Sequence, residues 1–549
     1  MAVELQAGAP QLSAGALNRI GAAVAAGSFQ EARDLAQAEI DRGCVHPALY
    51  NARALWLERQ QRDREALVDY QRARMLTPAN PIVLSAIGLC HTRLFQYPEA
   101  VAAFDEALRA NPLFMPGYIR KAETLALAGD FDGALRAYER AVALDPRNVE
   151  ALAGLSSLAA QRGDMKKAAE FATRAVAVEP AQPTAQAVLA QVDISRGNFA
   201  STEERVRPLL QDSQIAGKGR ASLFGVLGDA LDGQHRFDEA FVAYTAENTE
   251  LMRLNSIRFA GAPRIADLCN SLIAHYKDRA VAPQTDDRPG SEIEGGPAGH
   301  VFLLGFYRSG TTLLEQALEA HPAIVTLEER ELLGAEAERF LTSTAGLALL
   351  DDISGDELEA ARGAYWRNVA REGVNVRGKV FVDKHPLNTL KLPLIARLFP
   401  DAKILFAVRD PRDVILSCYR RHFQINAAMY ELLTLQGAAR LYDAVMRLAD
   451  VMREKTQLKV LDCRYEKIVE DFEASLRAVC EFVGVEYSAA VENFSSVLRA
   501  DAIRSPSALQ VKRGLYREGI AQWRPYAAQL DAVAPILNRW VGHFGYPAE

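Results

Sequence analysis

Apolar positions in the first half of the chain recur at a fixed interval. Ala66, Ala100, Ala134 and Ala168 stand 34 residues apart, and so do Ala73, Ala107, Ala141 and Ala175. Tyr70, Phe104 and Tyr138 keep the same register between them. Pro78, Pro112, Pro146 and Pro180 close the successive periods in the phrases LTPAN, ANPLF, LDPRN and VEPAQ. The pattern predicts stacked helical hairpins. Small residues lie where two antiparallel helices touch, and an aromatic ring fills the space beside them. Proline ends the second helix because it lacks an N–H and clashes with the preceding turn. No single hairpin can bury its own apolar face, so the units stack. Clear units are expected at 47–80, 81–114, 115–148 and 149–182. Ala32 in GSFQEARDLA marks an earlier one, and Gly228, Ala240 and Tyr244 a last one. Residues 183–220 lack the pattern.

The period and its alanine, aromatic and proline columns resemble the tetratricopeptide repeat (TPR) family. That resemblance implies a concave surface for a peptide or protein partner, or for self-association to a homo-oligomer. The blander reading is a rigid platform. The repeat region is expected over 1–276. Residues 277–299 (KDRAVAPQTDDRPGSEIEGGPAG) are rich in proline, glycine and charge without periodicity, which predicts a linker.

From residue 300 the pattern changes to short, continuous apolar runs. His300–Phe306 (HVFLLGF) reads as a buried strand, YRSGTT as a turn, and LLEQALEAHP as a helix. Strand, glycine-containing turn and helix present backbone N–H groups to an anion. Further buried runs near 379–382, 403–408 and 459–464 alternate with helical stretches. The second half, 300–549, is therefore expected to be a three-layer α/β domain with a mainly parallel sheet and helices on both faces. Gly305 and Gly310 have the spacing of a nucleotide-binding P-loop, but Thr311 stands where the lysine belongs and Arg308 supplies the cation instead. A kinase or nucleoside triphosphatase is disfavoured.

Composition narrows the picture further. At 549 residues the chain needs more than one core. A net charge of −7 argues against bulk-charge binding to nucleic acid or anionic membranes. Six scattered cysteines without a C-x-x-C pair argue against a disulfide framework or zinc site and fit a reducing cytoplasm. The N-terminal stretch lacks the pattern of a secretory signal, no apolar run is long enough to span a bilayer, and no metal-ligand cluster stands out.

The loop RSGTTLLEQALEAHP, followed by EER, resembles the sulfotransferase superfamily that uses 3′-phosphoadenosine-5′-phosphosulfate. It looks most like tyrosylprotein sulfotransferases and bacterial TPR-containing sulfotransferases. The resemblance implies that Arg308, Ser309, Gly310, Thr311 and Thr312 grip the 5′-phosphosulfate. A second motif carries it further: the run ending in RDPRD leads into a helix bearing Ser417 and Arg421. In the resembled family an arginine ending this strand, matched by Arg409, and a serine eight residues on bind the 3′-phosphate. An arginine fork with a hydroxyl suits a dianion. CRYEKIVEDF implies Tyr465 near the adenine. SALQVKRGLY implies Ser507 at the donor and leaving group. In YREGIAQWRPY, Arg517 matches a loop that closes over the nucleotide, although Glu518 replaces a customary lysine.

The resemblance also assigns the chemistry. Glu329 matches the general base and Lys384 the cation at the transferring sulfonate, with Arg308 and Ser507 assisting. The competing view of Glu328 and Glu329 is that both merely open a helix EERELLGAEAERF, where acids favour the N-terminal dipole. His385 is a second candidate base, and His321 in AHP reads as structural. The implied acceptor is a hydroxyl, including that of a protein tyrosine. The alternative function is a TPR adaptor whose C-terminal domain binds nucleotide without catalysis.

Overall fold

The computed structural model describes residues 10–279, 281, 296–421, 425–494 and 519–548. It divides into two compact units, Met1–Gly233 with Ser256–Ala260, and Gln234–Asn255 with Gly261–Glu549.

The first unit is a row of helical hairpins. Pro47–Arg59 pairs with Asp63–Leu76, Pro81–Arg93 with Tyr97–Ala110, Met115–Leu127 with Phe131–Leu144, and Val149–Gln161 with Met165–Val178. Both alanine columns are fully buried, as are Tyr70 and Phe104. The aromatic column explains two glycines. A Cβ on Gly88 would lie 2.8 Å from the Phe104 ring, and one on Gly154 2.3 Å from that of Tyr138. Hairpins also form where the columns are faint or missing: Ala14–Ala25 with Phe29–Asp41, and Pro183–Ser195 with Phe199–Gln211. In the latter the period fails but Pro183 at the helix start and buried Ala185, Ala187, Val188 and Ala190 suffice.

The second unit is built on five parallel strands, β1 (Gly299–Leu304), β2 (Ile324–Glu328), β3 (Val380–Lys384), β4 (Lys403–Val408) and β5 (Lys459–Arg464), in the order β2-β3-β1-β4-β5. Alternate residues feed two cores. Phe302, Leu304, Phe381 and Phe406 face one, and Val301, Leu303, Val382 and Leu405 the other, so helices cover both faces. β1 stops at Leu304, two residues short of the expected end, because Gly305 turns the chain with a φ of 147°. β2 was not anticipated. The sequence signal was present in the β-branched run IVTL, but it is short and abuts two glutamates. Helix Phe237–Asn255, which the repeat columns group with the first half, packs in this second unit. Asn248 Nδ2 donates to Tyr419 O at 3.1 Å, Tyr419 Oη to Thr245 Oγ1 at 2.9 Å, and Phe241 stacks on the Tyr419 ring.

Candidate functional site

The site forms at the C-terminal ends of the strands, where parallel α/β sheets place ligands. β1 gives way to Gly305–Gly310, and the helix Thr311–Glu319 follows. Two left-handed residues shape this turn, Arg308 (φ 64°) and Gly310 (φ 96°). Only glycine fits the latter: a Cβ there would meet Tyr465 Cδ2 at 2.7 Å. Ser309, Thr311 and Thr312 are buried in the turn and first helical residues.

Arginines converge on this loop. Arg308 Nε donates to Ser417 Oγ at 2.9 Å, and Arg409 Nη1 to the carbonyl of Arg308 at 2.9 Å. Arg409 Nη2 donates to Gly519 O, and its guanidinium lies over the Tyr465 ring at 4.9 Å. Arg409 Nε is buried with no hydrogen-bond partner among the described residues. Burial, then Arg409, with Arg421 adding, push the Arg308 guanidinium down to about 10. Crowded cations in a buried loop can receive an anion with several oxygens. Tyr465 packs against Gly310 and Gly519.

The rest of RDPRD is buried. Asp410 pairs with Arg412, whose guanidinium stacks on Trp523 at 3.7 Å and donates to Pro547 O and Ala548 O. Asp413 accepts from Ala521 N and Trp523 N, both at 2.8 Å, and burial raises its carboxyl to about 6. This motif therefore ties the C-terminal segment to the site.

The second cluster sits at the ends of β2 and β3. Lys384, fully buried, donates to Glu329 Oε1 at 2.9 Å and Glu328 Oε1 at 3.0 Å. Glu315 Oε2 lies 3.2 Å from the same ammonium. Burial works against charge on Lys384, but the three carboxylates outweigh it and raise its pKa. Burial also acts to raise Glu329, but Lys384, His385 and Arg308 overcome it and hold the carboxyl below its ordinary value. The helix-opening reading of the two glutamates is overturned. Glu328 ends a strand, Glu329 takes a left-handed φ of 46° and donates its N–H to Lys384 O at 2.7 Å, and the helix starts only at Gly334.

The structure thus brings Arg308, Ser309, Gly310, Thr311, Thr312, Arg409, Ser417 and Tyr465 to one loop, with Arg421 in electrostatic reach, and Glu329 with Lys384 beside it. His385 lies next to Glu329, with Nδ1 buried and unpartnered among the described residues, and burial depresses its pKa. His321 is structural: it bridges Ala323 N and Glu486 O. Ser507, Arg517 and Glu518 lie outside the described residues. Sequence reading missed Glu315, a charged residue inside the apolar stretch TTLLEQAL, and Asp383. Asp383 is buried and accepts from Tyr365 Oη at 3.0 Å, and burial raises it to about 7. No group of metal-ligating side chains occurs among the described residues.

The family model described as "Sulfotransferase family" matches residues 300–489, and one for the tetratricopeptide repeat matches 125–192. The chain carries a TPR region and a sulfotransferase-superfamily domain. A protein of Aquifex aeolicus is 25% identical over 367 residues, 62% of this chain and 45% of that protein, so this chain spans under half of that relative's length. A putative protein-tyrosine sulfotransferase of Caenorhabditis briggsae is 25% identical over 250 residues, 43% of this chain and 87% of its own. Protein-tyrosine sulfotransferase A of Caenorhabditis elegans is 25% identical over 262 residues, 44% of this chain and 66% of its own. The sulfotransferase-superfamily domain is related to the tyrosylprotein branch. Among the described residues no helix is long and apolar enough to cross a membrane.

Proposed function

We propose that this chain transfers a sulfuryl group from 3′-phosphoadenosine-5′-phosphosulfate to a hydroxyl acceptor, with a tyrosine of a peptide or protein as the favoured class. The observation that carries the reading is the convergence of Arg308 and Arg409 on one glycine turn, with Arg421 in reach and Lys384 beside it. The donor supplies the activated sulfuryl group. Arg409, Ser417 and Arg421 hold its 3′-phosphate, and the Ser309–Thr312 turn holds the 5′ end. The buried Arg409 Nε, unpartnered among the described residues, fits such a group.

Glu329 is the base. Its side chain is 34% exposed, the most open of the three carboxylates on Lys384. Its depressed pKa leaves it ionised, ready to accept the acceptor's proton at an Oε atom. As Glu329 becomes neutral, the Lys384 ammonium loses one counter-charge and is available to the oxygen left on the nucleotide, with Arg308 sharing that charge. The tyrosine preference rests on the similarity to protein-tyrosine sulfotransferases and on the TPR region as a surface for a protein acceptor or partner. Transfer of radiolabelled sulfuryl to a tyrosine peptide, to simple phenols and to sugars tests it. Labelling of sugars alone would remove the tyrosine reading. Labelling of none would favour the adaptor.

A further inference from the structure

One ammonium serves three carboxylates, the proposed base among them. Their side-chain exposures rise outward, 2% for Glu315, 10% for Glu328 and 34% for Glu329, around a fully enclosed Lys384. Three negative charges on one positive charge in a closed pocket do not all persist; such a group retains a proton, and it rests where water is scarcest. That place is Glu315. Its Oε1 lies 3.2 Å from Thr326 Oγ1, whose single hydrogen goes to Glu319 Oε2 at 2.8 Å, so a proton on Oε1 donates to Thr326 Oγ1; its Oε2 has the longest of the three contacts to Lys384. Glu315 sits on Thr311–Glu319, the helix that opens at the phosphate loop, so one rigid element joins Arg308 to the lysine. The charged groups facing it are Lys384 from β3 and Glu328 and Glu329 from the end of β2. Glu319, one turn on, is engaged by Thr326 N and Oγ1, and Glu492 on the adjacent Ala489–Asn493 segment by Tyr487.

We propose that Glu315 is a positioning residue for sulfuryl transfer, a carboxyl that stays protonated in the working site and seats Lys384 while Glu329 takes up the acceptor's proton. The proposal rests on Glu329 being the base. With Glu315 neutral, protonation of Glu329 leaves Lys384 facing one carboxylate, and its remaining field reaches the leaving oxygen. With Glu315 ionised, two carboxylates still hold the ammonium and that field is quenched. Burial, against the pull of Lys384, pushes Glu315 up to about 8, so its ionisation falls on the alkaline side of neutrality. Activity then declines as pH rises through that region.

Infrared difference spectra of the full chain test this without an acceptor. Wild type minus Glu315→Gln is expected to show the C=O band of a protonated acid below the transition near 8 and to lose it above. Glu329→Gln, which removes one of the charges that raise Glu315, retains that band with its transition moved to lower pH. In transfer to a tyrosine peptide, with each profile scaled to its own neutral-pH kcat, Glu315→Gln is expected to lack the alkaline decline of the wild type. A purely structural role would not remove that decline. Absence of a Glu315 acid band, or an alkaline decline unchanged in Glu315→Gln, overturns the proposal. Wild-type activity in Glu329→Gln instead overturns the base reading, and the infrared comparison still decides the protonation of Glu315.

Discussion

Glu329→Gln removes the group proposed to take the proton while keeping its shape. It is expected to lower kcat about 100-fold or more with binding of 3′-phosphoadenosine-5′-phosphate within about twofold. Lys384→Met is harsher, because it removes the cation from the buried Glu315 and from Glu328 and Glu329 beside it. It is expected to destabilise by about 3–5 kcal/mol, read by denaturant unfolding, as well as to abolish transfer. Asp383 gives a pH prediction. Its folded carboxyl is raised to about 7, above the unfolded value, so its contribution to stability is complete at low pH and is lost as pH rises to 7. The Tm of wild type relative to Asp383→Asn is therefore expected to fall by about 2 °C or more between mildly acidic and neutral pH. A pH-independent difference would refute that raised carboxyl.

The element that sets donor affinity is the turn from β1 into Thr311–Glu319. Gly310→Ala forces a left-handed alanine whose Cβ meets Tyr465, so bisphosphate affinity is expected to drop about tenfold or more by calorimetry. The turn was legible in the sequence because its parts are local: an apolar run, a glycine and a helical stretch within a few residues. The repeat hairpins were legible because one packing contact recurs in every unit. β2 was not, because five residues ending in a glutamate carry little signal until β3 pairs with them. The meeting of Glu315, Glu328 and Glu329 on Lys384 was hidden for the same reason. It depends on the parallel register that sets Glu328 opposite Lys384, and no spacing along the chain encodes it. RDPRD looked like a helix start, and only the tertiary fold shows Arg412 and Asp413 spent on the C-terminal segment.

At the scale of the whole chain, the helix Phe237–Asn255 belongs by sequence period to the repeats and by packing to the second unit, where it braces the Pro411–Arg420 helix that bears Ser417. A fragment beginning at Gln234 is expected to bind the bisphosphate like the full chain. One beginning at Gly261, which lacks the brace, is expected to bind about tenfold more weakly or to lose its fold. Equal binding by both would show that the helix does not support the site.

The central claim is that the arginine-lined turn is a site for the adenosine bisphosphate moiety of the donor. Calorimetric titration of the full chain with 3′-phosphoadenosine-5′-phosphate, beside ATP–Mg²⁺ and repeated with Arg409→Ala, tests it most directly. The account predicts micromolar-range binding of the bisphosphate, weaker binding of ATP–Mg²⁺, and loss of about 100-fold or more in the variant. No binding of the bisphosphate, or tighter binding of ATP–Mg²⁺, would contradict it.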